Sequence, residues 1–223
     1  TPASLDALLE GVVRSHKGMP RLRLVFEGTA AHSGYPHPGR SAIGPAGRVI
    51  VALSDLGRLM AGERPPHGEQ FPEVPFAALN VGTVNGGSAA NVIPDRCEIQ
   101  LGIRLLPAMS VEDMMNRVRD TVIPAAAGAT FTLEYSGESP AMILNEDADI
   151  YRQMCSVVGQ RESRSVMFAT DAGWLQRMGL ECVLFGPGNI EDAHRPNEFV
   201  SVAELGRAGE VLDRIIRLRC LPG

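Results

Sequence analysis

The chain has 223 residues, 44% of them hydrophobic and 21% charged, which suits one large globular domain or two modest ones. A formal net charge of -5 with scattered basic residues argues against a nucleic-acid partner, because phosphate binding is driven by clustered Lys and Arg. No apolar run reaches membrane-crossing length, and the Thr1-Pro2-Ala3-Ser4 start has neither the basic lead nor the apolar stretch of a secretory signal, so a cytoplasmic setting is expected.

The basic concentration from Arg14 to Arg23 reads as solvated surface. Leu22 to Phe26 alternates apolar and basic residues, as a half-buried strand does. A loop rich in Gly, Pro and His follows from Gly28 to Gly39. Ser41 to Met60 then reads as a helix, with apolar residues at Ile43, Val49, Ile50, Leu53, Leu56 and Leu59. Gly62 to Pro75 is loop by its Pro and Gly content. Phe76 to Val84 is a strand ending in the turn Asn85-Gly86-Gly87, and Cys97 to Leu106 is its expected partner. Ser110 opens a helix, with Glu112 and Asp113 in the first turn where the dipole favours negative charge, and the helix ends near Pro124. Thr130 to Tyr135 is the fourth strand. Strand, helix, strand, strand, helix, strand predicts an antiparallel sheet with both helices on one face, a ferredoxin-like β-α-β-β-α-β unit.

After Pro140 the texture changes. Asp147 to Val158 and Asp171 to Met178 read as helices and Glu181 to Phe185 as a compact strand. Ser201 to Leu218 reads as an amphipathic helix, with Val202, Leu205, Val211, Leu212, Ile215 and Ile216 on its buried side. This second part suggests an α/β layer with too few strands for a complete sheet. Cys97, Cys155, Cys182 and Cys220 lack C-x-x-C spacing and are expected to be free buried thiols.

The segment richest in chemistry is Phe185-Gly-Pro-Gly-Asn-Ile-Glu-Asp-Ala-His194-Arg-Pro-Asn-Glu198. A Gly-Pro-Gly turn at the carboxyl end of a strand lies where α/β folds place their sites. His194 on the loop after it is either a zinc ligand or an incidental surface histidine, and Glu198 is a candidate to orient its ring.

This segment resembles the closing metal-ligand motif of the acetylornithine deacetylase, succinyl-diaminopimelate desuccinylase, aminoacylase and carboxypeptidase G family of zinc metallohydrolases. Three further segments match in order. His16-Lys17-Gly18 is similar to the approach to the family's lid domain. Gly28-Thr-Ala-Ala-His32-Ser-Gly-Tyr-Pro36-x-x-Gly39-x-Ser-Ala-Ile43 resembles its G-x-x-A-H loop. Asn85-Gly-Gly-x-x-x-Asn91-Val-Ile-Pro94, with Arg104 on the following strand, resembles its G-G-x-x-x-N-x-I-P pattern. Together the matches span nearly the whole chain.

The resemblance implies a ferredoxin-like lid and dimerisation domain over residues 18–139, inserted in an incomplete α/β zinc-hydrolase catalytic domain formed by residues 1–17 and 140–223. It implies a homodimer in which His32 reaches across to stabilise the oxyanion of the partner copy's tetrahedral intermediate. Asn91 and Arg104 are implied to hold the substrate's carboxylate, which an Arg fork meets with two hydrogen bonds. Thr170, beside Asp171, and the turn glycines Gly186 and Gly188 are implied to lie against the substrate. Asp171 reads equally well as a helix N-cap. His194 is implied as a metal ligand, and Asp6, ten residues before His16, as a second, with a solvated acid near a chain end as its plain alternative. The implied cofactor is zinc, two ions per complete site, with cobalt or manganese as alternatives, and the implied substrate is a small N-acyl amino acid or dipeptide.

The family's H-x-D strand end and adjacent Glu-Glu pair do not occur in this sequence. The expectation is therefore an inactive fragment of a metal-dependent amidohydrolase resembling acetylornithine deacetylase. A non-catalytic dimerisation or interaction module derived from the family is the alternative.

Overall fold

The computed structural model describes residues 11–190 and 192–221. In chain order the elements are β1 (Ser15–His16), β2 (Arg21–Glu27), β3 (Ala31–His32), α1 (Ile43–Ala61), β4 (Ala78–Gly86), β5 (Val92–Ile93), β6 (Arg96–Arg104), α2 (Val111–Ala126), β7 (Phe131–Gly137), β8 (Met142–Ile143), α3 (Asp149–Val158), β9 (Ser165–Val166), α4 (Ala172–Arg177) and α5 (Val202–Cys220). They fall into two compact units. One holds the described residues up to His16, Met142–Val166 and those from Asp171 on; the other holds Lys17–Ala141 and Met167–Thr170. Among the described residues no helix is long and apolar enough to cross a membrane.

The second unit is built on a four-stranded antiparallel sheet in the order β4-β6-β2-β7. Strict alternation along β6 buries Cys97, Ile99, Leu101 and Ile103 and leaves Arg96, Glu98, Gln100 and Arg104 toward the other face. The buried set joins Leu22, Leu24 and Phe26 of β2, Val49, Leu53 and Met60 of α1, and Met114, Val118 and Val122 of α2 in one core. On the open face Arg23 bonds Glu98 at 2.7 Å and Glu134 at 2.8 Å, a charged lattice that suits a solvated sheet surface. Helix α2 starts where its cap chemistry dictates: Ser110 Oγ accepts from Asp113 N at 3.2 Å. The loop after α1 is anchored by Phe71, which is fully buried beside a single 3-10 turn over Gly68–Gln70.

The first unit has a three-stranded sheet, order β8-β1-β9, of two-residue strands. Its core gathers Val12, Leu144, Tyr151, Met154, Val211 and Ile215, with Val183 and Phe185 packed against them. Gln160 holds the segment leading into β1, its Oε1 accepting from Val12 N at 2.7 Å and its Nε2 donating to Val12 O at 2.9 Å. Helix α5 begins with a capping box between Ser201 and Glu204.

Four expectations are corrected here. Arg14 and Lys17 are buried, not solvated: Arg14 donates to Leu144 O, Ser163 Oγ and Glu146 Oε1 at 2.6–2.7 Å, so hydrogen bonds offset the loss of water. Glu181 to Phe185 is not a strand: among the described residues only Leu184 has a bridge partner, Val13, so the segment lacks the row of ladder hydrogen bonds a strand requires. On α5 the buried stripe is Ala208, Val211 and Ile215, while Val202, Leu205, Leu212 and Ile216 are exposed, since a helix packed on one side buries a single stripe. All four cysteines are free, but Cys97 is buried and Cys220 exposed; burial pushes the Cys97 thiol pKa up.

Candidate functional site

The loop between β2 and α1 and the turn between β4 and β6 are stitched together by backbone. Gly28 N donates to Asp95 O at 2.7 Å, Ala42 N to Pro94 O at 2.8 Å, and Thr29 and Arg40 exchange bonds at 2.7 and 2.9 Å. The two-residue ladder β3–β5 pairs His32 with Val92, and Ser33 N donates to Asn91 O at 2.9 Å. Glycine is required at Gly28 because a Cβ there would lie 2.1 Å from Arg40 O, and at Gly39 because one would lie 2.8 Å from Ala31 Cβ. The predicted G-x-x-A-H and N-x-I-P segments are thus one structural element, and it brings His32 and Asn91 to neighbouring ladder positions, both exposed.

The imidazole of His32 is oriented. Gly34 N donates to its Nδ1 at 3.0 Å, and the Tyr35 ring stands 5.9 Å away, centroid to centroid. An Nδ1 that accepts must carry the lone pair, so in the neutral ring Nε2 holds the proton and is the donor. That is the arrangement a hydrogen-bond donor to an oxyanion needs.

Arg104 ends β6, opposite Ala78 of β4. His32 and Asn91 lie beyond the other end of that strand, where β2 finishes at Glu27 opposite Arg96. Nine residues of extended chain therefore separate Arg104 from the His32–Asn91 pair, about 27 Å at the usual rise per residue. Arg104 is half-buried, and burial pushes its guanidinium pKa down. Among the described residues it has no ion pair and no hydrogen-bonded acceptor.

Sequence reasoning missed the burial of Lys17. Its side chain is 1% exposed, and Nζ donates to Val74 O at 2.6 Å and Phe76 O at 2.8 Å. The Phe71 and Phe76 rings lie 5.5 and 5.9 Å from it. Burial first, then the nearby Arg104 guanidinium, lowers its pKa to about 8. The only sequence signal was its place between two motif residues, His16 and Gly18.

Thr170 belongs with the second unit, whereas Asp171 opens α4 in the first. Asp171 occupies the N-cap position, yet its side chain makes no cap bond; its carbonyl accepts from Trp174 N at 2.9 Å. In the first unit, Gly188 has φ +98°, which only glycine adopts freely, and Gly186 precedes it in the turn. His194 is exposed with φ 62°, and Asn197 has φ 64°, so the loop doubles back twice within four residues. Glu198 accepts at 3.1 Å from the His194 backbone N–H rather than from its ring, so it shapes the loop instead of orienting the imidazole. Asp6 lies outside the described residues. Zinc takes three or four protein ligands, and among the described residues no group of three or more His, Cys, Asp or Glu can hold a metal ion. The described residues do not by themselves fit a metal centre.

The peptidase dimerisation domain family matches residues 14–130, which is 117 of the 223 residues. The chain is 31% identical to the acetylornithine deacetylase of Myxococcus xanthus over 93% of its own length, and 30% identical to that of Proteus mirabilis over 94%. It spans about half the length of these curated relatives, 54% in both cases. The fold is that of the aminopeptidase PepT crystal structure from Bacillus cereus, with TM-score 0.72 at 20% identity, covering 95% of this chain and 54% of that one. The chain belongs to the peptidase dimerisation domain family.

Proposed function

We propose that the whole protein is a zinc-dependent amidohydrolase that removes the acyl group from a small N-acyl amino acid, as the names of its deacetylase relatives describe. We further propose that it works as a homodimer joined through a ferredoxin-like lid formed by residues 18–139, with residues 1–17 and 140–223 in the catalytic domain. His32 donates through Nε2 to the oxyanion, Asn91 and Arg104 hold the carboxylate, and Thr170, Gly186 and Gly188 line the substrate. His194 and Asp6 are the metal ligands this chain supplies, and zinc, or cobalt or manganese in its place, requires carboxylates beyond this sequence.

The observation that carries the reading is the length of β6 between the His32–Asn91 pair and Arg104. A small N-acyl amino acid is roughly 10 Å long, too short to bridge about 27 Å of extended strand. That mismatch supports a site to which two copies contribute, His32 and Asn91 from one and Arg104 from the other. The accepting Nδ1 of His32 adds independent support, because it leaves the ring pre-set as a donor.

The test is metal analysis and an N-acetyl amino acid assay on full-length protein. His194→Ala should abolish turnover, and His32→Ala and Arg104→Ala should each be inactive alone. Co-expressed, the last two should regain about a quarter of wild-type activity, because half the dimers are mixed and each mixed dimer carries one intact site. Unchanged turnover by His194→Ala at full metal content refutes the assignment. A dimer that binds no metal and cleaves no amide would fit an interaction module instead.

A further inference from the structure

We propose that Lys17 is a positioning residue for the carboxylate received by Arg104, supplying a second, buried positive charge beside it. The inference rests on the reading of Arg104 as a carboxylate receptor and adds a residue to which no role has been given above.

Gly18 and Leu105 exchange backbone bonds at 2.8 and 3.1 Å, continuing the register in which Arg21 pairs with Gly102. In that register Lys17 stands opposite Leu106 and diagonal to Arg104, with both cationic side chains on one side of the ladder. From β6 the charged neighbour of the ammonium is Arg104. The 71–77 segment meets it with the Val74 and Phe76 carbonyls and the Phe71 and Phe76 rings, while that segment's acid, Glu73, is exposed.

Two like charges, one fully and one half out of water, repel each other and lose hydration together. Proteins tolerate such a pair where an anion completes it, and among the described residues Arg104 has no carboxylate on it. The carbonyls that hold Lys17 fix its charge in place, so it reinforces an anion at Arg104 through its field rather than by touching it. Because its pKa is lowered to about 8, that reinforcement is present below pH 8 and is lost as pH rises through it.

The experiment is an NMR titration of the full chain with N-acetylglycine, and with N-acetylglycine amide as the neutral control, at pH 7 and 9.5. A unit charge at the diagonal spacing in a protein-like dielectric changes anion affinity on the order of tenfold. We expect wild type to bind N-acetylglycine about tenfold more weakly at pH 9.5, and Lys17→Met to be weak at both pH values. Lys17→Arg, which stays charged, should lose the pH step, and the amide should bind alike in all three. Wild-type affinity that is flat across this range, or a step that persists in Lys17→Arg, overturns the proposal even if Lys17→Met fails to fold. If Arg104→Met abolishes binding while Lys17→Met matches wild type, the role of Lys17 falls and the receptor reading stands. If Arg104→Met binds normally, or wild type shows no saturable binding, the receptor reading and this inference fall together.

Discussion

Replacing Gly28 by Ala tests whether the loop that carries His32 is held by backbone contact. The added Cβ would stand 2.1 Å from Arg40 O, 2.9 Å from Pro94 O and 3.0 Å from Ala42 N, where ordinary contact begins at 3.4 Å. All three neighbours are backbone atoms, so no side chain can swing aside, and the segments must part by about 1 Å. That opening weakens the reciprocal Thr29–Arg40 bonds and the Ala42–Pro94 bond. Overpacking costs about 1–3 kcal/mol and each weakened bond up to about 1 kcal/mol, so a loss of about 3 kcal/mol is expected. With a urea slope of about 2 kcal/mol per molar, the midpoint should fall by about 1.5 M. Gly44→Ala in α1 is the control: nothing lies within 4 Å of its added Cβ, and helix propensity should stabilise it by about 0.5–1 kcal/mol. If Gly28→Ala unfolds at the wild-type midpoint, or rises with Gly44→Ala, the close approach of the three segments is wrong.

Other residues allow equally direct tests. The Arg23 guanidinium, bonded to Glu98, holds that carboxylate near pKa 2, below its ordinary 4.5. The stability the pair contributes should be present above about pH 4.5 and lost as pH falls toward 2, so urea curves for Glu98→Gln should show a shallower acid slope than wild type. Gln160→Leu should cost about 2–4 kcal/mol by leaving both polar groups of buried Val12 without a partner, with faster hydrogen exchange at the Val12 amide as the local signature. Ile215→Ala should cost about 2–4 kcal/mol, whereas Ile216→Ala, one residue on but exposed, should stay within about 0.5 kcal/mol in this chain; equal losses would contradict the single buried stripe of α5.

The elements legible in the sequence are those whose signals are local. Ser110 announced α2 because its hydroxyl can cap the helix that follows, and the apolar spacing of Val211 and Ile215 announced α5. The alternation along Cys97 to Leu106 gave β6 because one face of that strand is buried. What stayed hidden depends on distant partners. Two-residue strands such as Ser15–His16 have no periodicity to read, and they exist only because Met142 and Val166 lie alongside. Lys17 looked like surface because a buried ammonium is recognised by the carbonyls of Val74 and Phe76, 57 and 59 residues away. His32, Asn91 and Arg104 were all visible as motif residues. That the first two are neighbours and the third stands at the far end of a strand could come only from the register of β2, β3, β5 and β6.

Strand β6 acts as a ruler. Its nine residues set how far His32 and Asn91 stand from the Arg104 guanidinium, and pleating lets that length change only in steps. An insertion of two residues would add about 7 Å and keep Arg104 on its side of the sheet. An insertion of one would turn Arg104 into the helix-covered core and bring an apolar residue out in its place. Under the proposed two-copy site, sequence drift along β6 is tolerated far better than changes in strand length, so β6 should be a place where residues vary and spacing does not.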